Sequence, residues 1–140
     1  MNKRFFIAWL VVFIVWYAGS FVVHGLLLHA DYESLANLFR RPQEAQPLLP
    51  LMILAHALMS GAFVWIYARG VEARPWLGQG IRYGVAIALL TVVPLYLIYY
   101  VVQPMPGATV AKQIVFETIL MLILGAVAAF MYRKTSAKSG

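Results

Sequence analysis

The chain has 140 residues, of which 63% are hydrophobic and 11% are charged, whereas a soluble domain carries about 25% charged residues. This composition excludes an ordinary water-soluble core and predicts an integral membrane protein. The net charge of +6 does not indicate a nucleic-acid partner, because the basic residues flank apolar runs and form no separate soluble face. The absence of cysteine excludes disulfides, thiolate chemistry and thiolate metal sites.

Four apolar runs are long enough to cross a bilayer, since a membrane helix needs about 20 mostly apolar residues. The sequence therefore predicts an all-α four-transmembrane-helix bundle that forms a single membrane domain over residues 1–140. The predicted helices lie at about 5–28, 48–67, 84–102 and 114–132. The first run continues to Leu28, too far for the apolar part of a secretory signal, so we expect a retained helix.

The basic residues predict the orientation of the chain, because cytoplasmic loops carry the excess of Lys and Arg. If the N-terminus is inside, only Arg40, Arg41 and Lys112 lie outside. The basic residues assigned to the inner side are Lys3, Arg4, Arg69, Arg74, Arg82, Arg133, Lys134 and Lys138. Both termini are therefore expected in the cytoplasm.

The longest polar stretch, HADYESLANLFRRPQEAQP, joins the first two runs. Asp31 can cap a helix, apolar side chains recur at helical spacing from Tyr32 to Phe39, and Pro42 ends the pattern. This pattern predicts a short amphipathic helix on the outer membrane surface. A solvated loop whose leucines cover the mouth of the bundle is an equal alternative.

Small residues and one proline indicate how the helices pack. Ala57 with Gly61, and Gly125 with Ala129, recur at the spacing that permits close helix approach, either within the chain or between chains. Pro94 is expected to kink the third helix, because proline removes a backbone hydrogen bond.

Ionisable side chains interrupt three of the apolar runs at His24, His56 and Glu117. At a rise of about 1.5 Å per residue, all three lie in the outer half of the membrane. Glu117 is the only acidic residue expected within hydrocarbon. Such groups cost about 2.5–3.5 kcal/mol on insertion scales, so they usually face the bundle interior, paired or lining a watery cavity.

Other polar side chains share helix faces with these three groups. Tyr17 lies on the stripe of His24, Gln113 precedes Glu117 by one turn, and a polar stripe runs from Tyr96 to the outer end of the third helix. The sequence therefore predicts a polar, proton-sharing or ligand-binding cluster near the outer surface. Its expected members are His24, His56, Glu117, Tyr99, Tyr100, Ser20 and Ser60.

Three roles fit this cluster. Hydrogen bonds among its members could fix helix packing without any chemistry. A carboxyl beside a histidine suits a proton relay or proton-coupled transport of a small solute, although the chain lacks broken-helix repeats. Metal binding is the third role: His24, His56 and Glu117 could hold zinc, copper or iron, and the two histidines could be axial ligands of a haem.

Catalytic signatures are absent from the sequence. No GxSxG, Walker loop, GxGxxG or CxxC motif occurs, so nothing points to nucleophilic or phosphate chemistry. Enzymatic activity with a sparse signature stays open. The sequence favours a protein that acts by binding, as an oligomer or as an accessory subunit of a larger membrane complex, because four short helices bury little surface alone.

Three short motifs carry a family resemblance. The His24-Gly25 pair in the first run, QGIRYG opening the third and YYVVQPMP closing it resemble small bacterial four-helix membrane proteins of unknown function. The resemblance covers most of the chain and implies a multi-pass protein of the bacterial cytoplasmic (inner) membrane. It implies no activity, ligand or site residue.

Overall fold

The structure is a computed structural model that describes residues 2–133. Within that range the chain is helical without strands, and four helices are long and apolar enough to cross a membrane. They are Lys3–Leu27, Leu49–Arg69, Trp76–Val102 and Gly107–Tyr132, and are called the first to fourth helices. The predicted all-α architecture with four helices long and apolar enough to cross a membrane is thus confirmed for this range. Lys134 and Lys138, assigned to the inner side, lie outside the described residues.

The third and fourth helices begin earlier than the apolar runs predicted. The third starts at Trp76 and not near Gly84, and the fourth starts at Gly107 and not near Ile114. Their first turns contain polar residues such as Lys112, which interrupt an apolar run without interrupting a helix. Hydropathy therefore locates the segment suited to hydrocarbon, and the helix itself extends beyond it.

The segment between the first and second helices is folded into short helical turns. Asp31 does not cap a helix, because Leu28 holds the N-cap position and Asp31 lies inside the first short turn. Ser34 donates a hydrogen bond to the carbonyl oxygen of Asp31 (2.7 Å) and satisfies a backbone acceptor at the end of that turn. The turns are His29–Glu33, Ala36–Leu38, Pro42–Ala45 and Gln46–Leu48.

The third and fourth helices approach each other through glycine. A Cβ atom added at Gly84 would lie 2.5 Å from the carbonyl oxygen of Met121, and one added at Gly125 would overlap the carbonyl oxygen of Gly80. Only the missing side chains let the two backbones pack this closely. Gly125 was predicted as a packing residue, whereas its partners Gly80 and Gly84 were not.

Hydrogen bonds tie the helices together at the end that carries both described chain ends. Arg4 donates from Nε to the carbonyl of Met131 (2.7 Å) and from Nη2 to that of Arg133 (2.6 Å). These bonds satisfy carbonyls that a helix leaves unpaired at its C-terminus. The Tyr83 hydroxyl donates to the carbonyl of Phe63 (2.6 Å) and joins the third helix to the second. This end is called inner and the opposite end outer, following the predicted topology.

The apolar core runs from the inner end to the middle of the bundle. Val12, Val64 and Leu124 are fully buried where three helices meet. Along the first helix the buried core side chains end at Trp16. Beyond that level the helices enclose a cavity.

Two stretches of widened helix border this outer half. Phe21–Leu27 in the first helix and Ala88–Val92 in the third are π-helical, a geometry that often marks functional sites. Pro94, which has no N–H to donate, follows the second stretch closely. Thr91 donates from its hydroxyl to the carbonyl of Ile87 (2.8 Å). Both stretches bring residues to the wall of the cavity.

Candidate functional site

A cavity of about 560 Å³ lies in the outer half of the bundle, and each membrane helix contributes to its wall. Its deep side is formed by the buried side chains of Trp16, His56, Glu117 and Met121. The wall is mostly apolar, and no Lys or Arg among the described residues lines it. The cavity is therefore an apolar space with a small number of polar groups, as is usual for ligand sites.

The cavity opens sideways between the second and third helices. Met52 and Met59 on the second helix and Leu95 on the third line the cavity but remain 51%, 40% and 46% exposed. Glu117 on the opposite wall is only 7% exposed. Since these helices face hydrocarbon in a membrane, the opening faces lipid.

His24 connects the cavity to the outer segment. Its Nε2 lies 2.7 Å from Glu117 Oε1 and its Nδ1 lies 2.6 Å from the Tyr32 hydroxyl. Gln113 Nε2 donates to the same hydroxyl (3.1 Å). Burial raises the pKa of Tyr32. The Tyr32 hydroxyl and the Glu117 carboxylate together occupy both ring nitrogens of His24 and orient the imidazole between the outer segment and the cavity.

Glu117 keeps one oxygen available. Oε1 accepts from His24, whereas Oε2 has no hydrogen-bond partner among residues 2–133. The side chain is 10% exposed and lines the cavity. Oε2 is accessible from the cavity and is not a buried atom. A donor or cation supplied by a ligand could therefore reach it.

His56 faces the same cavity. Its Nδ1 donates to the carbonyl of Met52 one turn earlier (2.9 Å), and its Nε2 lies 3.2 Å from the Ser20 hydroxyl oxygen. The Tyr17 ring packs edge-on against the imidazole, with ring centroids 5.2 Å apart. His56 forms a second polar point on the wall and is not hydrogen-bonded to Glu117.

The structure brings together part of the predicted cluster. His24, His56, Glu117 and Ser20 line one cavity, as their shared depth and faces predicted. Ser60 is fully buried, but its hydroxyl donates to the carbonyl of His56 on its own helix (2.6 Å) and does not reach the cavity. The Ser60 hydroxyl is therefore satisfied within the second helix.

Two predicted tyrosines lie outside the cluster, and one tyrosine was missed. Tyr99 and Tyr100 follow Tyr96 by about one turn, so they lie beyond the cavity and are 40% and 50% exposed. Tyr96 is the residue of this stripe that lines the cavity. Tyr32 was assigned to a surface helix, and nothing local in the sequence indicates that its hydroxyl reaches His24.

The side chains predicted as metal ligands are not arranged as a metal centre. Within residues 2–133 no group of three or more His, Cys, Asp or Glu side chains is placed to hold a metal ion. Both ring nitrogens of His24 and of His56 already have hydrogen-bond partners. The geometry therefore gives no support to a metal or haem site built from His24, His56 and Glu117.

A salt bridge fixes the outer segment to the fourth helix. Lys112 Nζ lies 2.9 Å and 3.1 Å from the two carboxylate oxygens of Asp31, and the Thr109 hydroxyl donates to Asp31 Oδ1 (3.3 Å). The hydrogen bond from Lys112 lowers the pKa of Asp31 below its usual value of 3.8. The bridge holds the neighbouring Tyr32 against His24.

We expect Asp31→Asn to loosen the outer segment. Because the pKa of Asp31 is lowered in the folded protein, the bridge contributes above the usual pKa of 3.8 and is lost as the pH falls through the lower folded value. At neutral pH, Asp31→Asn should speed amide hydrogen exchange across residues 29–48. Glu33→Gln, which removes an exposed contact with His29 (3.2 Å) and not the bridge to the fourth helix, is the control. Equal exchange in the two variants would show that the bridge does not hold the segment.

Comparison of the chain with protein-family models, curated proteins and solved structures gives no match. The fold and the cavity define the class: a multi-pass α-helical membrane protein with a lipid-facing cavity. The resemblance to small bacterial four-helix proteins stays a prediction.

Proposed function

We propose that this protein binds a small amphipathic molecule that enters from the bilayer. The carrying observation is a cavity that opens toward lipid and has an incompletely paired carboxylate on its deep wall. Its volume of about 560 Å³ lies within the range of roughly 300–1,000 Å³ that ligand pockets occupy. The apolar body of the ligand would contact Met52 and Leu95, and its polar group would contact Glu117.

Helix packing alone does not account for this arrangement. A polar group that only fixed two helices would be fully paired, because an unpaired group in hydrocarbon is costly. Glu117 Oε2 has no partner within the described range, and the space beside it is open. A bound ligand accounts for both features.

The binding test uses the neutral fluorescent amphiphile N-phenyl-1-naphthylamine with protein in mild detergent. We expect saturable binding to the parent. Leu95→Trp places a larger side chain at the mouth and should weaken binding at least about tenfold. Leu97→Trp is the control, because Leu97 lies on the same helix, is half exposed and does not line the cavity. Equal affinity in the two variants would reject the cavity as the binding site.

Proton-coupled movement of the ligand is a second candidate. The observation that favours it is the hydrogen-bonded chain from Gln113 through Tyr32 and His24 to Glu117. Histidine can accept a proton at one ring nitrogen and release one from the other. Under this candidate, Tyr32→Phe would keep ligand binding but lose proton uptake coupled to ligand movement.

The location and assembly of the protein are part of the proposal. The basic-residue distribution supports a bacterial inner-membrane protein with both termini in the cytoplasm and the short helical turns at the outer surface. Action as an oligomer or as an accessory subunit of a larger membrane complex stays a prediction. The mass of the purified protein in mild detergent tests it.

The topology predicts labelling from opposite sides of the membrane. Because the chain has no cysteine, single cysteines at Gln43 and Glu72 can be compared without a background. An impermeant maleimide should label the Gln43→Cys variant in cells whose inner membrane is intact. It should label Glu72→Cys only after permeabilisation. Labelling of both positions from one side would contradict the topology.

A further inference from the structure

Building on the proposed function, we propose that the ligand is a hydrophobic cation whose charge is bound against Glu117. The expected chemical class is an organic ammonium or similar onium ion with a bulky apolar body.

The charges of the cavity match a cation. Glu117 is the acidic side chain on its wall, and no Lys or Arg among the described residues lines it. Both ring nitrogens of His24 and of His56 already have hydrogen-bond partners within the protein. The wall therefore offers the Glu117 carboxylate no permanently charged partner from the described residues.

The free acceptor gives the cation a defined position. Glu117 is 93% buried, since its exposed fraction is 7%. Its Oε1 is held by His24 (2.7 Å), which orients the carboxylate, and its Oε2 has no partner within residues 2–133. A cation beside Oε2 would complete the pairing of this buried carboxylate. A buried charge is stable in a protein when it is paired.

The remaining wall suits an organic cation and not a metal ion. The rings of Trp16, Tyr17 and Tyr96 line the cavity, and aromatic faces attract organic cations. Met59 and Met121 add polarisable thioethers that adapt to apolar shapes. A metal ion would require several clustered ligands, and the described residues form no such cluster.

The experiment compares two ions of similar size and shape and opposite charge, tetraphenylphosphonium and tetraphenylborate. Binding is measured by equilibrium dialysis in a neutral detergent. Binding to the cavity is taken as the part of the parent's binding that is lost in the Leu95→Trp variant. We expect phosphonium to bind the parent at least about tenfold more tightly than borate. This comparison requires no change to Glu117.

Glu117→Gln then tests the carboxylate itself. Glutamine keeps an oxygen that can accept from His24, so the fold should be retained. Phosphonium affinity should fall at least about tenfold. Glu33→Gln is the matched control, because it removes the same charge from an exposed site in the outer segment. It should leave phosphonium affinity unchanged.

The outcomes separate this inference from the proposed function. If the parent binds the neutral probe but holds borate as tightly as phosphonium, the cavity binds amphiphiles and the cation inference is overturned. If Glu117→Gln keeps full phosphonium affinity, the inference is also overturned. If the parent binds neither the neutral probe nor phosphonium, both proposals fail.

Discussion

Gly84→Leu should separate the third helix from the fourth and cost about 1–3 kcal/mol of unfolding free energy. The reason is steric: a Cβ at this position would lie 2.5 Å from the carbonyl oxygen of Met121 and 2.9 Å from the Cα of Leu122. Backbone atoms cannot rotate away as a side chain can, so the helices must move apart. The contacts between these two helices would then be lost along their length.

Gly78→Leu supplies the matched control on the same helix. Nothing lies within 4 Å of a Cβ added at Gly78, and leucine favours a helix over glycine. The free energy of unfolding, measured by titration with a denaturing detergent in mixed micelles, should therefore be unchanged or higher in this control. Equal destabilisation by the two substitutions would contradict the close glycine contact.

His24→Leu should cost about 1–3 kcal/mol of stability. The substitution removes the donor 2.7 Å from Glu117 Oε1 and leaves the buried carboxylate without a hydrogen bond from the described chain. It also removes the acceptor of the Tyr32 hydroxyl. Glu117→Gln should cost less, because the glutamine oxygen can still accept from His24 Nε2.

A double-mutant cycle measures the coupling between the two side chains. Combining His24→Leu with Glu117→Leu removes both partners, and replacing a buried polar pair with apolar residues is often neutral or stabilising. The double variant should therefore be more stable than His24→Leu alone. A double variant whose loss equals the sum of the two single losses would show that the contact carries no coupling energy.

The membrane helices were predictable because hydrocarbon imposes a simple requirement. Each span needs about 20 apolar residues and must satisfy its backbone internally, and those properties are visible in the sequence without any knowledge of neighbours. The short helical turns after the first helix were not predicted in their observed form. Their geometry depends on Asp31, whose partner Lys112 lies on the fourth helix.

The candidate site was predictable in its depth and faces. Helical period and distance from the span ends placed His24, His56 and Glu117 in one layer, and all three line the cavity. The same argument included Tyr99 and Tyr100, which lie past the outer edge of the cavity. A polar stripe shows which face of a helix points into the bundle. It does not show how far along the helix axis the cavity extends.

Other features of the site depend on tertiary structure. The π-helical stretches at Phe21–Leu27 and Ala88–Val92 widen turns that periodicity treats as regular. Tyr32 reaches His24 because the salt bridge beside it draws the outer segment onto the fourth helix. Such contacts join residues far apart in the chain, so a single sequence carries no local sign of them.

Photo-crosslinking with a lipophilic diazirine derivative of N-phenyl-1-naphthylamine locates the binding site, because mass spectrometry identifies the labelled residues. We expect labels at Met59, Leu95 and Met121 on the wall of the cavity. Excess unmodified probe or the Leu95→Trp substitution should remove these labels. Labels spread over lipid-facing side chains such as Leu10 and Leu90, unaffected by either treatment, would contradict a binding cavity in this protein.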